Sequence, residues 1–109
     1  METHLISNEK KKIYAERMAE NLPMLRKKLG LSQTDIGKLI GVSRQAISSF
    51  ENRSRVMPWQ NFISLLFVFN ENPGTQQLLP VLGIYTAELM GIFRTTDLTR
   101  ISEAVEGVE

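Results

Sequence analysis

The amino-acid sequence predicts an all-α bundle of about five helices, with an N-terminal helical arm and a C-terminal helical extension. Two short amphipathic segments between residues 31 and 52 are separated by a glycine, which is the pattern of two helices joined by a tight turn. Apolar residues elsewhere recur three or four positions apart, as on one face of a helix. A chain of 109 residues with 42% hydrophobic content is long enough for one compact core.

The N-terminal residues 1–20 are predicted to form an arm that is partly helical. Met1 to Ser7 has no periodicity, whereas residues 8–20 favour helix and place apolar side chains three to four positions apart. The run from Lys10 to Lys12 falls on the remaining surface of this helix. It is interpreted either as a DNA-contacting arm or as an ordinary solvated run of charge.

Pro23 opposes one unbroken helix up to Gly30, because its ring clashes with the carbonyl four residues earlier and it donates no hydrogen bond. Asn21 can instead cap a new helix that holds Pro23 in its first turn, where proline is tolerated. We therefore expect a break or kink near Asn21, followed by a helix from Leu22 to Leu29.

Two helix caps and a glycine define the pair of short helices that follows. Ser32 can cap the first helix, with Asp35 at its third position as the acidic half of a capping box. Gly41 ends this helix, because glycine adopts a positive φ without a Cβ clash. Ser43 can then cap a second helix that runs to about Asn52.

The two helices have distinct inner and outer faces. Apolar residues predict the inner face, and they are Ile36, Ile40, Val42, Ile47 and Phe50. Gly37 leaves the first helix without a side chain, where a second helix crossing steeply needs close backbone approach. The outer face of the second helix carries hydrogen-bonding groups able to read base edges in a major groove, namely Arg44, Gln45, Ser48, Ser49 and Asn52.

This arrangement resembles the helix-turn-helix of the Cro/phage-repressor family, also called Xre-type regulators, over about Leu22 to Phe69. Gln33 opens the first helix, Gly37 follows four positions later, and Gly41 is in the turn. The resemblance implies a lambda-repressor-like bundle that binds double-stranded DNA through a recognition helix. It also implies a transcriptional regulator, more commonly a repressor, that binds a palindromic operator as a homodimer.

The resemblance also assigns roles to individual side chains. Positions that read base edges carry Arg44, Gln45 and Ser49, and Ser48 shares their face. Positions that hold phosphates carry Gln33, Ser43 and Asn52, and the loop positions near the DNA backbone carry Arg53 and Arg55. Alternatively, the two loop arginines are only solvated.

Two further positions bear on the stability of this segment. The family pattern places Arg26 opposite Glu51 as a largely buried ion pair. Many relatives have a glycine directly after the Glu-Asn pair, whereas this chain has Arg53. Arginine is strained at positive φ, so the sequence does not decide whether this loop adopts the conformation found in relatives with glycine.

We place the DNA-binding domain at residues 21–70. Residues 71–109 are predicted to form a separate C-terminal helical segment. Pro58 suits the first turn of a helix from Trp59 to about Asn70, which is apolar on nearly every side from residue 62 to 69 and needs covering on more than one side. Thr75 can cap a short helix through Leu82, although Pro80 lies within it.

A final helix is predicted after Thr96, with Leu98, Ile101 and Val105 on one face. The many apolar residues beyond the turn at residues 72–74 indicate a dimerisation element, because two-fold pairing presents two recognition helices to successive major grooves. Intramolecular packing under the preceding helix is the alternative, and the two can both be true.

Charge is distributed unevenly along the chain. Residues 1–58 contain 11 Lys/Arg and 6 Asp/Glu (+5), and residues 59–109 contain 2 and 6 (−4), which together give the net charge of +1. A basic half that contains the helix pair fits contact with phosphates. The acidic, apolar-rich remainder is compatible with an antitoxin that binds a protein partner while its helix-turn-helix autoregulates its operon.

Other classes of protein are disfavoured by composition. The chain has no cysteine, so disulfides and thiolate metal sites are excluded, and a reducing cytoplasm is the expected location. Neither a signal peptide nor a membrane span is indicated. His4 is the only histidine and lies in the tail, so we expect no enzymatic activity, no metal and no cofactor.

Overall fold

The computed structural model describes residues 6–94, and the helix expected after Thr96 lies outside them. Within this range the chain forms seven helical segments and no strand, so the all-α prediction is confirmed. The segments are α1 (Asn8–Lys28), α2 (Gln33–Ile40), α3 (Arg44–Glu51), α4 (Trp59–Glu71), α5 (Pro73–Gln76), α6 (Leu78–Val81) and α7 (Ala87–Phe93). None of the described helices has the length and apolar character needed to cross a membrane.

Helix α1 is continuous across Pro23, so the expected break near Asn21 is wrong. Six of its side chains are buried, from Tyr14 to Leu25. An interior proline costs on the order of 3 kcal/mol, whereas each large apolar side chain that is buried contributes roughly 1.5 to 3 kcal/mol. Burial along the whole helix therefore outweighs the proline. Asn21 caps nothing, and its Nδ2 donates to the carbonyl of Arg17 at 2.8 Å.

The hydrophobic core lies between α1, the helix pair and α4. Its largest fully buried side chains include Met18, Leu22 and Leu25 of α1, with Phe50 of α3 and Phe62 of α4. Helix α1 packs against α3, α4 and α5, and α2 packs against α3 and α4. One long helix thus supports both the helix pair and the segments that follow α4.

The segments after α4 differ from the prediction in one respect. Thr75 does not cap a helix through Leu82, because α5 already begins at Pro73. The Thr75 side chain is fully buried, and its hydroxyl donates to the carbonyl of Phe69 at 2.7 Å. Burial of this hydroxyl against the end of α4 favours a position inside α5 over a solvent-facing cap.

The described part of the C-terminal segment packs intramolecularly. Leu79, Ile84 and Leu89 are fully buried in the same core as α1 and α4. Polar contacts also join α7 to α1. The hydroxyl of Tyr14 lies 2.5 Å from Thr86 Oγ1 and donates to Glu88 Oε1 at 3.0 Å.

One apolar surface of α4 stays uncovered by the described residues. Phe67 is 68% exposed and Phe93 is 41% exposed. Together with Ile63, Leu66, Asn70 and Tyr85 they line a shallow groove between α4 and α7, called the apolar groove below. Helix α4 is therefore buried on the face toward α1 and open on this second face.

Candidate nucleic-acid interface

The predicted caps set the start of both helices of the pair. Ser32 Oγ accepts the backbone N–H of Asp35 at 3.0 Å, and Asp35 Oδ2 accepts the N–H of Ser32 at 2.9 Å, so the capping box is confirmed. Hydrogen bonds to the Asp35 carboxylate from the backbone N–H and then from the side chain of Ser32 lower the pKa of Asp35 below its usual value. Ser43 Oγ accepts the N–H of Ala46 at 3.0 Å and caps α3.

The turn between α2 and α3 depends on two glycines. Gly41 has φ +80°, which confirms the expected left-handed conformation. Gly37 has no room for a side chain, because a Cβ there would lie 2.6 Å from the carbonyl oxygen of Val42. The close approach at Gly37 thus comes from the carbonyl of the turn and not from the body of α3. A side chain at position 37 would therefore push the turn away from α2.

Helix α3 presents a polar face to solvent. Ala46, Ile47 and Phe50 are buried on its inner side. Arg44 and Gln45 are exposed on the outer side, and Ser48 and Ser49 are half-buried beside them. The structure therefore brings the four side chains predicted to contact bases onto one helix of eight residues.

An ion pair fixes α3 against α1. Arg26 Nε donates to Glu51 Oε2 at 2.7 Å, and Arg26 Nη2 donates to Glu51 Oε1 at 3.2 Å. The two side chains are only 13% and 9% exposed. The hydrogen bond to Glu51 raises the pKa of Arg26 above its usual value. Such a two-pronged contact sets the orientation of both partners.

Gln33 completes this contact, which sequence reasoning did not find. Its Nε2 donates to Glu51 Oε1 at 2.9 Å, so α1, α2 and α3 meet at one carboxylate. Gln33 keeps one amide proton and its oxygen for other partners. Among the other residues predicted to contact phosphates, Asn52 Oδ1 accepts the N–H of Ser54 at 2.8 Å. Asn52 is exposed, and its Nδ2 takes no part in this hydrogen bond.

The loop after α3 folds back onto α1. Arg53 has φ +65°, the left-handed conformation that the missing glycine put in question. Its Nη1 lies 2.7 Å from Glu16 Oε2 in α1. The guanidinium carbon of Arg55 lies 5.3 Å from the ring centroid of Phe50. The contact between Arg53 and Glu16 joins residues 37 positions apart, and no local sequence signal marks it.

These residues border a small cleft between α1 and the loop, called the charged cleft below. Its lining residues are Lys12, Ala15, Glu16, Ala19, Arg53, Arg55, Val56 and Met57. Three of them are cationic at neutral pH and one is anionic. The first of its residues after α3 is Arg53, two positions beyond the end of that helix.

Comparison with known proteins bears on this geometry. A model of the helix-turn-helix family matches residues 24–58, from the last turn or so of α1 to the residue before α4. Residues 24–58 are a helix-turn-helix domain of the Cro/C1 type. The domain belongs to a class of DNA-binding regulators. No significant match was found among curated proteins or among solved structures.

The match covers the helix pair but not the whole described chain. Helix α3 is the second helix of the helix-turn-helix, and Arg26, Gln33 and Glu51 all lie within residues 24–58. The first four turns of α1 lie outside, and so do helices α4 to α7. The charged cleft therefore lies between the domain and the N-terminal part of α1.

Proposed function

We propose that this protein is a sequence-specific transcriptional repressor that binds a palindromic operator as a homodimer, through the recognition helix from Arg44 to Asn52. The observation that carries the proposal is the exposed polar face of α3, held at a fixed angle by the Gly37 turn and by the buried contacts of Glu51. A rigid, preset helix can enter a major groove without the entropic cost of ordering it first.

Each side chain of this face has a role in the proposal. Arg44 donates two hydrogen bonds to a guanine, Gln45 pairs with an adenine, and Ser48 and Ser49 contact bases less selectively. Backbone contacts come from Gln33, Ser43, Asn52, Arg53 and Arg55. Base contacts give sequence preference, and phosphate contacts position the protein on the duplex.

The proposed dimer rests on the apolar groove. Phe67 and Phe93 leave large apolar surface in water, and pairing of two copies through this surface would remove it. A two-fold pair places two copies of α3 about 34 Å apart on one face of the DNA. Repression follows from occupancy, since two copies side by side exclude other proteins from the same stretch of duplex.

The first test is selection of bound duplexes from a random library by the purified protein. We expect an enriched palindrome with half-sites about one helical turn apart and, on titration, affinity that falls steeply with salt. No enrichment, together with only weak binding to every duplex, would contradict the proposal.

Two variants then separate base contacts from phosphate contacts. Arg44→Ala should cost about 1 to 3 kcal/mol on the selected duplex and relax preference at one base pair. Arg55→Ala should weaken binding to selected and random duplexes alike. Equal losses on both duplexes for both variants would refute this assignment of roles.

A second candidate function is an antitoxin whose C-terminal part binds a protein partner. The apolar groove on α4 and α7, in the half of the chain that carries a net charge of −4, supports it. Co-purification with a small basic protein encoded in the same operon would favour this function. A homodimer that binds its operator without such a partner would favour the simple repressor.

A further inference from the structure

We infer that the charged cleft is a binding site for a DNA phosphate, in which the carboxylate of Glu16 competes with the phosphate for Arg53. This inference rests on the proposed DNA-binding function and adds to it a residue of α1 that limits affinity for the DNA backbone. Both Glu16 and Lys12 lie outside the helix-turn-helix domain, so this feature belongs to the extended α1 of this chain.

The contents of the cleft fit a phosphate. Lys12, Arg53 and Arg55 supply three cationic groups, against the single carboxylate of Glu16. Its floor is apolar, with Ala15 and Met57 buried, so charges in the cleft face a poorly polarisable wall. An arginine fork can hold two phosphate oxygens at once, which a lone lysine cannot do.

The position of the cleft favours the DNA backbone over a free anion. Arg53 lies two residues after Glu51, where α3 ends, and Arg55 is held against Phe50 of α3 by its ring contact. When α3 lies in a major groove, the loop that follows it is beside the flanking phosphates. The cleft therefore meets the same duplex that the recognition helix reads.

The ion pair between Arg53 and Glu16 is suited to exchange. Arg53 is 41% exposed and Glu16 is 60% exposed, so water and salt screen their attraction. A phosphate of the highly charged duplex attracts Arg53 more strongly than one exposed carboxylate does. On binding, Arg53 leaves Glu16 for the phosphate, and Glu16 stays near the DNA as an uncompensated negative charge.

Glu16 consequently lowers affinity for every duplex without altering base preference. One cation of the cleft must be released from the protein before it can neutralise a phosphate, so the net gain in counterion release is smaller. The protein then depends more on its base contacts to stay bound. Glu16 acts here as a residue that sets the balance between backbone affinity and sequence readout.

The test compares Glu16→Gln with Glu20→Gln, which removes the same charge one turn further along α1 and outside the cleft. Each variant and the wild type are titrated with the selected duplex and with a random duplex at several salt concentrations. We expect Glu16→Gln to raise affinity about three- to tenfold on both duplexes, with a salt slope steeper by about one. We expect a much smaller change for Glu20→Gln.

A double-mutant cycle with Arg53→Gln then identifies the route. If Glu16 acts by occupying Arg53, Glu16→Gln gives no gain in the Arg53→Gln background. Lys12→Gln should weaken binding to both duplexes and reduce the dependence of log affinity on log salt concentration by about one in slope. Thermal melts of all variants verify that they fold. If Arg53→Gln does not fold, the comparison of Glu16→Gln with Glu20→Gln still tests the inference.

Three results would overturn the inference. Equal responses to Glu16→Gln and Glu20→Gln would show that only overall charge matters. A gain that persists without Arg53 would show that Glu16 repels DNA and does not compete for that arginine. Wild-type protein that binds no duplex would overturn the proposed function as well, whereas binding with equal glutamate variants overturns this inference alone.

Discussion

At the scale of single residues, Glu51 has the largest structural consequence. Its carboxylate accepts hydrogen bonds from Arg26 of α1 and from Gln33 of α2, while Glu51 itself ends α3. A charge that is 9% exposed is tolerated because these donors replace water. The carboxylate of Glu51 therefore links α3 to both α1 and α2.

Glu51→Ala should lower the free energy of unfolding by about 3 kcal/mol, because it leaves the guanidinium of Arg26 buried without its partner. Urea denaturation followed by circular dichroism measures this loss. Glu71→Ala, at an exposed glutamate, is the control and should change stability by less than about 0.5 kcal/mol. Equal stability of the two variants would contradict a structural role for the pair.

Sequence reasoning reached only part of this residue-level picture. Resemblance to a known family placed Arg26 opposite Glu51, because the spacing of that motif is shared. The contact of Gln33 with the same carboxylate was missed, since Gln33 had been assigned to phosphates alone. The contact of Arg53 with Glu16 depends on how far α1 extends, and no local pattern encodes that.

At the scale of secondary-structure elements, the turn of the helix pair is set by Gly37. Alanine favours helix over glycine by about 1 kcal/mol, so propensity alone predicts that Gly37→Ala stabilises α2. The Cβ would lie 2.6 Å from the Val42 carbonyl, however, and that atom is backbone that cannot move away cheaply.

We therefore expect Gly37→Ala to destabilise the protein by about 1 to 3 kcal/mol, as overpacking does. Gly91→Ala in α7 is the matched control, because a Cβ there meets nothing within 4 Å. That change should stabilise by about 0.5 to 1 kcal/mol. Thermal denaturation of both variants should give shifts of opposite sign, and shifts of the same sign would refute the clash.

The contact between α1 and α7 has a predicted dependence on pH. A hydrogen bond from Lys10, and then one from Tyr14, lower the pKa of Glu88 below its usual 4.5. A depressed pKa contributes stability above the usual value, and this contribution is lost as the pH falls through the pKa of the folded state. The paired Lys10 has a raised pKa, so its contribution is lost only above about pH 10.5.

Wild-type protein should accordingly be more stable than Glu88→Gln at neutral pH, and the difference should vanish as the pH falls well below about 4. Urea denaturation of both proteins at a series of pH values measures it. The capping carboxylate of Asp35 is present in both, so its own titration cancels. A difference that is constant with pH would contradict the ion pair.

Elements were predicted well where local chemistry decides them. Ser32 and Ser43 cap helices through hydrogen bonds to residues three positions away, which a sequence displays directly. The break predicted near Asn21 was wrong because the local cost of Pro23 is visible in the sequence, whereas the burial that offsets this cost depends on tertiary packing. The cap predicted at Thr75 was wrong for the same reason, since its hydroxyl donates a hydrogen bond to the end of α4, which only the tertiary structure brings close.

At the scale of the whole molecule, charge and apolar surface lie in different parts. The first 58 residues carry a net charge of +5 and hold the recognition helix and the charged cleft. The remainder carries −4 and holds all the residues that line the apolar groove. Two copies could pair through the groove with their basic surfaces directed to one duplex.

Phe67→Glu should therefore convert a dimer into a monomer, because it places a charge in the surface to be buried. Val81→Glu is the control, at an exposed valine outside the groove. Sedimentation at matched concentrations should give monomer for the first variant and dimer for the second. Wild-type protein that stays monomeric would contradict the proposed pairing.

The continuity of α1 has a mechanical consequence. Its last five residues belong to the helix-turn-helix domain, while its first turns contact Thr86, which caps α7, and Glu88 in α7. At 1.5 Å per residue this helix is about 30 Å long. It joins the contacts with α7 to the helix-turn-helix domain without an intervening loop. A displacement of α7 would thus be passed to the helix pair through one continuous helix and not through a linker.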